Sequence, residues 1–128
     1  MKKVLLDTCA LIWLTTGDRK LSNAARKIIA EAEYLCYSSV SIWEIARKVE
    51  KGILEMPVSP LVFSSMLYPQ YGAKSIAVDN AISLKAASLP EIHKDPADRF
   101  IIATAMLNDC QVITGDHNFP LYGITTIN

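Results

Sequence analysis

The chain has 128 residues, of which 51% are hydrophobic and 20% are charged, and this composition excludes an intrinsically disordered protein. Thirteen basic and thirteen acidic side chains give a net charge of zero, so the bulk charge does not indicate a nucleic-acid-binding protein. No apolar run approaches the roughly 20 residues of a membrane span, and three scattered cysteines lack C-x-x-C spacing. We therefore expect one cytoplasmic domain over residues 1–128, with no membrane partner.

Apolar runs that suit strands alternate with longer segments that suit helices. The predicted strands, in chain order, are residues 4–6, 34–38, 75–78, 111–114 and 124–127. The predicted helices lie around 11–14, from Ser22 or Asn23 to about Glu33, from Ser41 to near Gly52, from Pro60 to about Tyr71, from Asp79 through Ala87, and from Pro96 through Met106. This alternation is typical of an α/β fold with a central, mainly parallel sheet flanked by helices. In such folds ligands bind at the carboxyl ends of the strands.

Two aspartates follow predicted strands directly. Asp7 ends the run Val4-Leu5-Leu6, and Asp116 comes after Val112-Ile113-Thr114-Gly115. Each also has a purely structural interpretation, because Asp7 or Thr8 can cap the next helix and Asp116 can cap a turn. For Asp7 alone the two interpretations are equally supported.

Two further acidic residues lie near predicted helix starts. Glu44 follows Ser41 by three residues, which is the spacing of a capping box, and for Glu44 alone capping is the better explanation. Asp95 before Pro96 predicts an N-cap, which places Asp98 one turn into the helix. Because Asp98 borders the buried face of that helix, an unpartnered carboxylate there would be costly. We therefore interpret Asp98 as a ligand and Asp95 as a cap.

The combination of Asp7, Glu44, Asp98 and Asp116 points to chemistry that none of the four establishes alone. Converging carboxylates repel one another unless a cation joins them, and oxygen ligands suit Mg²⁺ or Mn²⁺. Such ions can activate water and stabilise the leaving oxygen in phosphodiester hydrolysis. No Ser-His or Cys-His pair and no glycine-rich phosphate-binding motif offers an alternative site.

Four short stretches carry a resemblance to a known family. They are Val4-Leu5-Leu6-Asp7-Thr8, Ser41-Ile42-Trp43-Glu44-Ile45-Ala46, His93 through Ala103 with the signature Asp95-Pro96-Ala97-Asp98-Arg99, and Val112-Ile113-Thr114-Gly115-Asp116. In order and spacing, the chain resembles the PIN-domain family, and within it the VapC-type toxins of toxin–antitoxin pairs. The matching stretches span essentially the whole chain.

The resemblance implies a three-layer α/β domain with a Mg²⁺- or Mn²⁺-dependent endoribonuclease activity. It places the catalytic metal ligands at Asp7, Glu44, Asp98 and Asp116. It also implies supporting roles for Thr8, Thr114 and Asp95 around the metal site. The implied partners are an RNA substrate, a cognate antitoxin protein and a second copy of the chain in a homodimer.

Several interpretations stay open from the sequence. Arg99 can offset charge on the leaving side or pair with a neighbouring helix, and both tryptophans, Trp13 and Trp43, are expected in the core. Residues 59–71 can form a dimer-facing or antitoxin-facing helix or lie buried. A receiver-type binding domain, or an interaction module whose acidic residues only cap helices, is the alternative function. Candidate phosphate contacts, most of them expected on solvated helix faces, are Arg19, Lys20, Arg26, Lys27, Arg47, Lys48, Lys51 and Arg99.

Overall fold

The computed structural model describes residues 2–128 and contains the predicted alternation of strands and helices. The strands are β1 (Lys3–Leu6), β2 (Tyr34–Ser38), β3 (Ala73–Ile76), β4 (Gln111–Ile113) and β5 (Thr126–Ile127). The helices are α1 (Thr8–Thr16), α2 (Asn23–Glu31), α3 (Ser39–Glu50), α4 (Pro60–Tyr71), α5 (Asn80–Ser88) and α6 (Pro96–Asn108), with a short 3₁₀ helix at Phe119–Tyr122. No helix within residues 2–128 is both long and apolar enough to cross a membrane.

The five strands form one sheet in the order β3-β2-β1-β4-β5, and every pairing is parallel. The chain adds β2 and then β3 on one side of β1, and it adds β4 and then β5 on the other side. The crevice between the carboxyl ends of β1 and β4 is therefore the topological switch point, where such sheets bind ligands. This strand order differs from the 2-1-3-4-5 order of receiver-type domains, so that alternative is wrong.

Side chains of β1 alternate between two buried clusters, one on each face of the sheet. Val4 and Leu6 pack on the face covered by α1 to α4, whereas Leu5 packs on the face covered by α5 and α6. This is the period-two alternation expected of a strand that is buried on both faces. Helices on both sides of a central sheet give three layers, which confirms the predicted fold class.

Helix caps agree with the sequence at most positions and disagree at one. Ser22 caps α2 and Asp95 caps α6 through their side-chain oxygens. The predicted capping box at Ser41 is wrong, because the Ser38 side chain, at the end of β2, caps α3 instead. Glu44 consequently lies in the second turn of α3 and does not cap it.

The exposed face of α3 also corrects a prediction about the tryptophans. Trp13 packs against the buried cluster beneath α1, as expected. Trp43, in contrast, has 59% of its surface exposed, whereas Ile45 two residues later is fully buried. Core packing is therefore wrong for Trp43.

Candidate functional site

A cavity of about 380 Å³ opens at the carboxyl ends of β1 and β4. Side chains from four separate parts of the chain reach it, and five of them carry carboxyl groups while one carries an ammonium group. The lining residues are Asp7, Thr8, Cys9, Trp13, Glu44, Lys48, Asp95, Asp98, Gly115 and Asp116. The four acidic residues predicted from the sequence therefore share one cavity with a strong excess of negative charge.

Asp7 is placed by the strand that precedes it and the helix that follows it. Its backbone N–H donates to the Ile113 carbonyl at 3.1 Å, which ties the end of β1 to β4, and its Oδ1 accepts from Ala10 N–H at 2.8 Å. Only 5% of Asp7 is exposed. Burial raises the pKa of Asp7 to about 6, although hydrogen bonds from the Thr114 hydroxyl and Ala10 N–H oppose the shift. Asp7 is thus both an N-cap and a cavity residue.

Glu44 reaches the cavity from α3, and the Thr8 hydroxyl holds its carboxylate. Thr8 Oγ1 donates to Glu44 Oε1 and lies 2.9 Å from Ser41 Oγ. Burial raises the pKa of Glu44, and the nearby charge of Asp95 acts in the same direction. Thr8 therefore lies where the sequence predicted a supporting hydroxyl.

Asp95 and Asp98 occupy the start of α6 in the predicted arrangement. Asp95 Oδ1 accepts from Ala97 N–H at 3.0 Å as the N-cap, and Asp98 follows in the first turn. Burial, together with the charge of Asp95, raises the pKa of Asp98 to about 7. The start of a helix favours negative charge, but burial outweighs that effect here.

Asp116 follows β4 and differs electrostatically from the other three acidic residues. Its N–H donates to Thr114 Oγ1 at 3.0 Å, and its Oδ1 accepts from Asn118 N–H at 2.8 Å. Burial acts to raise the pKa of Asp116, but the hydrogen bonds from Asn118 and from the His93 ring outweigh it and lower the pKa. Thr114 thus hydrogen-bonds to the Asp116 backbone and lies beside Asp7.

Arg99 does not line the cavity. Its Nη2 donates to the carbonyls of Ala86 and Leu89, both at 2.8 Å. Its Nη1 donates to the carbonyls of Pro90 and His93 at 3.0 and 3.1 Å. Its Nη1 also lies 3.9 Å from Glu91 Oε2, an exposed carboxylate in the segment that follows α5. The guanidinium group therefore orders the segment between α5 and α6, away from the acidic cavity, which favours the structural interpretation of Arg99 over a leaving-side counter-charge.

His93 is the site residue that the sequence analysis missed. Its Nε2 lies 2.8 Å from Asp116 Oδ2 and 3.0 Å from Asp98 Oδ2, so the ring joins two of the four acidic residues. The signal available in the sequence was its position two residues before the Asp95-Pro96 cap, inside the stretch that carries the family resemblance.

The donor set suits a divalent cation. Within residues 2–128, His93, Asp98 and Asp116 are the one group of three possible ligands whose atoms all lie within 4.8 Å of one another. Asp7 and Glu44 line the same cavity at greater separation. Carboxylate oxygens with room for water between them match the coordination that Mg²⁺ and Mn²⁺ accept.

Comparison with known proteins agrees with the fold. The family model for the PIN domain matches residues 4–124. Ribonuclease VapC22 of Mycobacterium tuberculosis (strain ATCC 25618 / H37Rv) is 28% identical to the chain over 117 residues, which is 91% of this chain and 88% of that protein.

Solved structures with the same fold include complexes of toxins with antitoxins. A toxin–antitoxin complex from Klebsiella pneumoniae aligns with a TM-score of 0.69 at 20% identity, over 98% of this chain and 97% of that chain. A DNA-bound VapBC from Salmonella typhimurium aligns with a TM-score of 0.70 at 18% identity, over 99% of this chain and 98% of that chain. At these identities the likeness establishes the fold.

Proposed function

This chain belongs to the PIN-domain family, as the match over residues 4–124 establishes, and from that membership we propose that it is a Mg²⁺- or Mn²⁺-dependent endoribonuclease. The observation that carries the proposal is the convergence of Asp7, Glu44, Asp98 and Asp116 from four separate elements on one cavity. The similarity to Ribonuclease VapC22 supports RNA as the substrate class.

Each acidic residue has a defined part in the proposed site. Asp7, Glu44, Asp98 and Asp116 would hold the divalent cation. The Thr8 hydroxyl holds the Glu44 carboxylate by a hydrogen bond, and the Thr114 hydroxyl lies beside Asp7. Asp95 adds negative charge at the rim while it caps α6. When bound, the cation would activate water and offset the charge that develops on the phosphate and the leaving oxygen.

The chain's own residues then have to place RNA and keep the cavity shaped. Trp13 forms one wall of the cavity and lies against Gly115, which follows β4. A side chain at position 115 would place its Cβ 3.3 Å from Cη2 of Trp13, so glycine lets the ring lie close to the backbone there. In hydrolysis a water oxygen would form a bond to phosphorus, the bond from phosphorus to the leaving ribose oxygen would break, and that oxygen would take up the proton that the water releases. The acidic cavity would hold the cation, and the backbone phosphate of RNA would approach that cation through the opening of the cavity.

Lys48 is the proposed RNA contact on the protein side. Among the eight basic residues considered from the sequence, it is the one that lines the cavity. We expect Lys48→Gln to weaken RNA binding several-fold and to reduce the salt dependence of binding by about one phosphate contact. Fluorescence anisotropy with a labelled single-stranded RNA at several salt concentrations measures both quantities.

Lys51→Gln provides the matched control for this prediction. Lys51 lies just past the C-terminal end of α3, is exposed and does not line the cavity. Equal losses of affinity and of salt dependence in the Lys48 and Lys51 variants would contradict a specific contact by Lys48.

The biological setting that we propose is a toxin held inactive by a cognate antitoxin in the cytoplasm, with the toxin as a homodimer. The structural neighbours that are toxin–antitoxin complexes support this setting. Helix α4 buries Phe63 and Leu67 but leaves Leu61 and Tyr68 79% and 61% exposed. An apolar surface of this kind suits a protein partner.

The experiment that tests the function combines cleavage with cation binding. Purified protein should cleave single-stranded RNA with Mg²⁺ or Mn²⁺ and should stop when EDTA is added. The same cations should stabilise the folded protein by about 2.7 kcal/mol at a concentration of 100 times the Kd. This stabilisation should appear as a higher melting temperature. Absence of both effects would favour the alternative of a non-catalytic interaction module.

A further inference from the structure

His93 is built into the acidic site more firmly than a chance surface contact would be. Its side chain is 12% exposed and its Nε2 contacts Oδ2 of both Asp98 and Asp116. The ring also meets Phe119 edge-on, with centroids 6.0 Å apart and an angle of 79° between the planes. The imidazole therefore fills the space between the two carboxylates and packs against the core behind them.

The backbone on both sides of the ring is held by distant residues. The His93 N–H donates to the Tyr122 hydroxyl at 2.7 Å, and its carbonyl accepts from Arg99 at 3.1 Å. The Tyr122 hydroxyl in turn donates to the Pro90 carbonyl at 2.9 Å. These contacts fix the position from which the imidazole enters the site, so its place between the carboxylates does not depend on the ring alone.

The second ring nitrogen determines which kind of contact Nε2 makes. Nδ1 accepts a hydrogen bond from Asp95 N–H at 3.2 Å, so Nδ1 carries a lone pair and the ring proton lies on Nε2. Nε2 therefore donates to Asp98 and Asp116. To ligate a metal through Nε2, the ring would have to carry its proton on Nδ1 instead. The Nδ1–H and the Asp95 N–H would then point at each other, and neither would have an acceptor.

We propose that the His93 Nε2–H takes the place of a second divalent cation between Asp98 and Asp116, so that the site holds one ion. A second ion would need the Oδ2 oxygens of Asp98 and Asp116 as ligands, and the imidazole already engages both of these oxygens. The single ion would be held by Asp7, Glu44 and the remaining oxygens of Asp98 and Asp116, with water as further ligands, as Mg²⁺ commonly requires. This inference rests on the proposed divalent-cation site and specifies its stoichiometry.

Mn²⁺ titration without RNA tests the inference at one fixed pH. Calorimetry and electron paramagnetic resonance of free Mn²⁺ should give one ion per wild-type chain. Both His93→Ala and His93→Ser should bind two, because the Oδ2 oxygens of Asp98 and Asp116 become available. His117→Ala is the matched control, since His117 is exposed beside Asp116 but makes none of these contacts, and it should bind one ion.

Two results would overturn the inference. One is a wild-type protein that binds two Mn²⁺ ions, and the other is a His93 variant that binds Mn²⁺ more weakly with no gain in stoichiometry, as expected for a lost ligand. If neither variant folds, the ¹⁴N coupling to Mn²⁺ in the wild-type protein decides: its absence supports the stand-in role and an imidazole coupling refutes it. Failure of the proposed function itself would appear differently, as no Mn²⁺ binding by the wild-type chain and no cleavage.

Discussion

Replacement of Asp7 by asparagine is expected to abolish RNA cleavage and, at the same time, to stabilise the cation-free protein at pH 8. The activity falls because a buried carboxylate that faces the cation is lost. Loss of a residue that only supports a metal ligand lowers activity by up to about 100-fold, so we expect loss of Asp7 to lower the cleavage rate by at least that factor. The fold is retained because asparagine can still accept from Ala10 N–H and face the Thr114 hydroxyl.

The stability gain follows from the raised pKa of Asp7. In the folded protein this pKa is about 6, against an ordinary value of 3.8, so the folded state favours the protonated carboxyl. That contribution is fully present below about pH 4 and is lost as the pH rises through 6. A shift of about two units corresponds to roughly 3 kcal/mol. The cation-free wild type should therefore be less stable at pH 8 than at pH 5. Asp7→Asn should remove the part of this difference that comes from Asp7 and leave the part that comes from the raised pKa of Asp98.

Urea denaturation in EDTA at pH 5 and pH 8, together with a cleavage assay in Mn²⁺, measures both effects. Asp79→Asn is the matched control, because Asp79 caps α5 by accepting from Ile82 N–H at 2.9 Å and lies outside the cavity. The control should keep both its activity and its pH dependence. An Asp7→Asn protein that cleaved RNA at the wild-type rate would show that the site is wrongly assigned.

Replacement of Arg99 by alanine is expected to cause the largest loss of stability. One guanidinium group satisfies four backbone carbonyls, including those of Ala86 and Leu89 at the end of α5. Hydrogen bonds from a charged donor contribute about 1.5–3 kcal/mol each, and unsatisfied carbonyls add to the cost. We expect a loss of roughly 3 kcal/mol or more, and Arg99→Lys should restore only part of it because an ammonium group lacks the planar fork.

Equilibrium urea denaturation of the Arg99 variants measures this loss. Arg47→Ala is the control, since Arg47 makes only an exposed ion pair with Glu50 at 3.7 Å on the surface of α3. Such pairs contribute about 1 kcal/mol or less. If the Arg99 and Arg47 variants unfolded at the same urea concentration, the four carbonyl contacts would have no energetic role.

Most of the fold could be predicted from the sequence because local patterns agree with the tertiary structure. The caps Ser22, Asp79 and Asp95 were identified from their own side chains and the residues that follow them. The start of α3 could not be identified in the same way, because serines at 38, 39 and 41 all suit an N-cap. Pairing of Ser38 with β3 decides among them, and that contact is not local.

The site was predicted only as far as strand ends and helix starts could define it. Asp7 and Asp116 follow parallel strands that pair directly, so their proximity follows from topology. The position of His93 depends instead on Arg99 and Tyr122, which hold an irregular segment by backbone contacts. Trp43 was expected in the core because tryptophan is a large apolar residue. The helical period places Trp43 on a different face of α3 from the buried Ile45, and that face is exposed.

The pairing of β1 with β4 has a consequence for synthesis on the ribosome. Asp7 is made before α6, β4 and Asp116, which complete the cavity. Since chains begin to fold from the N-terminus as they emerge, the nascent chain holds an incomplete acidic cavity until β4 and Asp116 have been made. We expect RNA cleavage to begin only after that point, when all four carboxylates are in place.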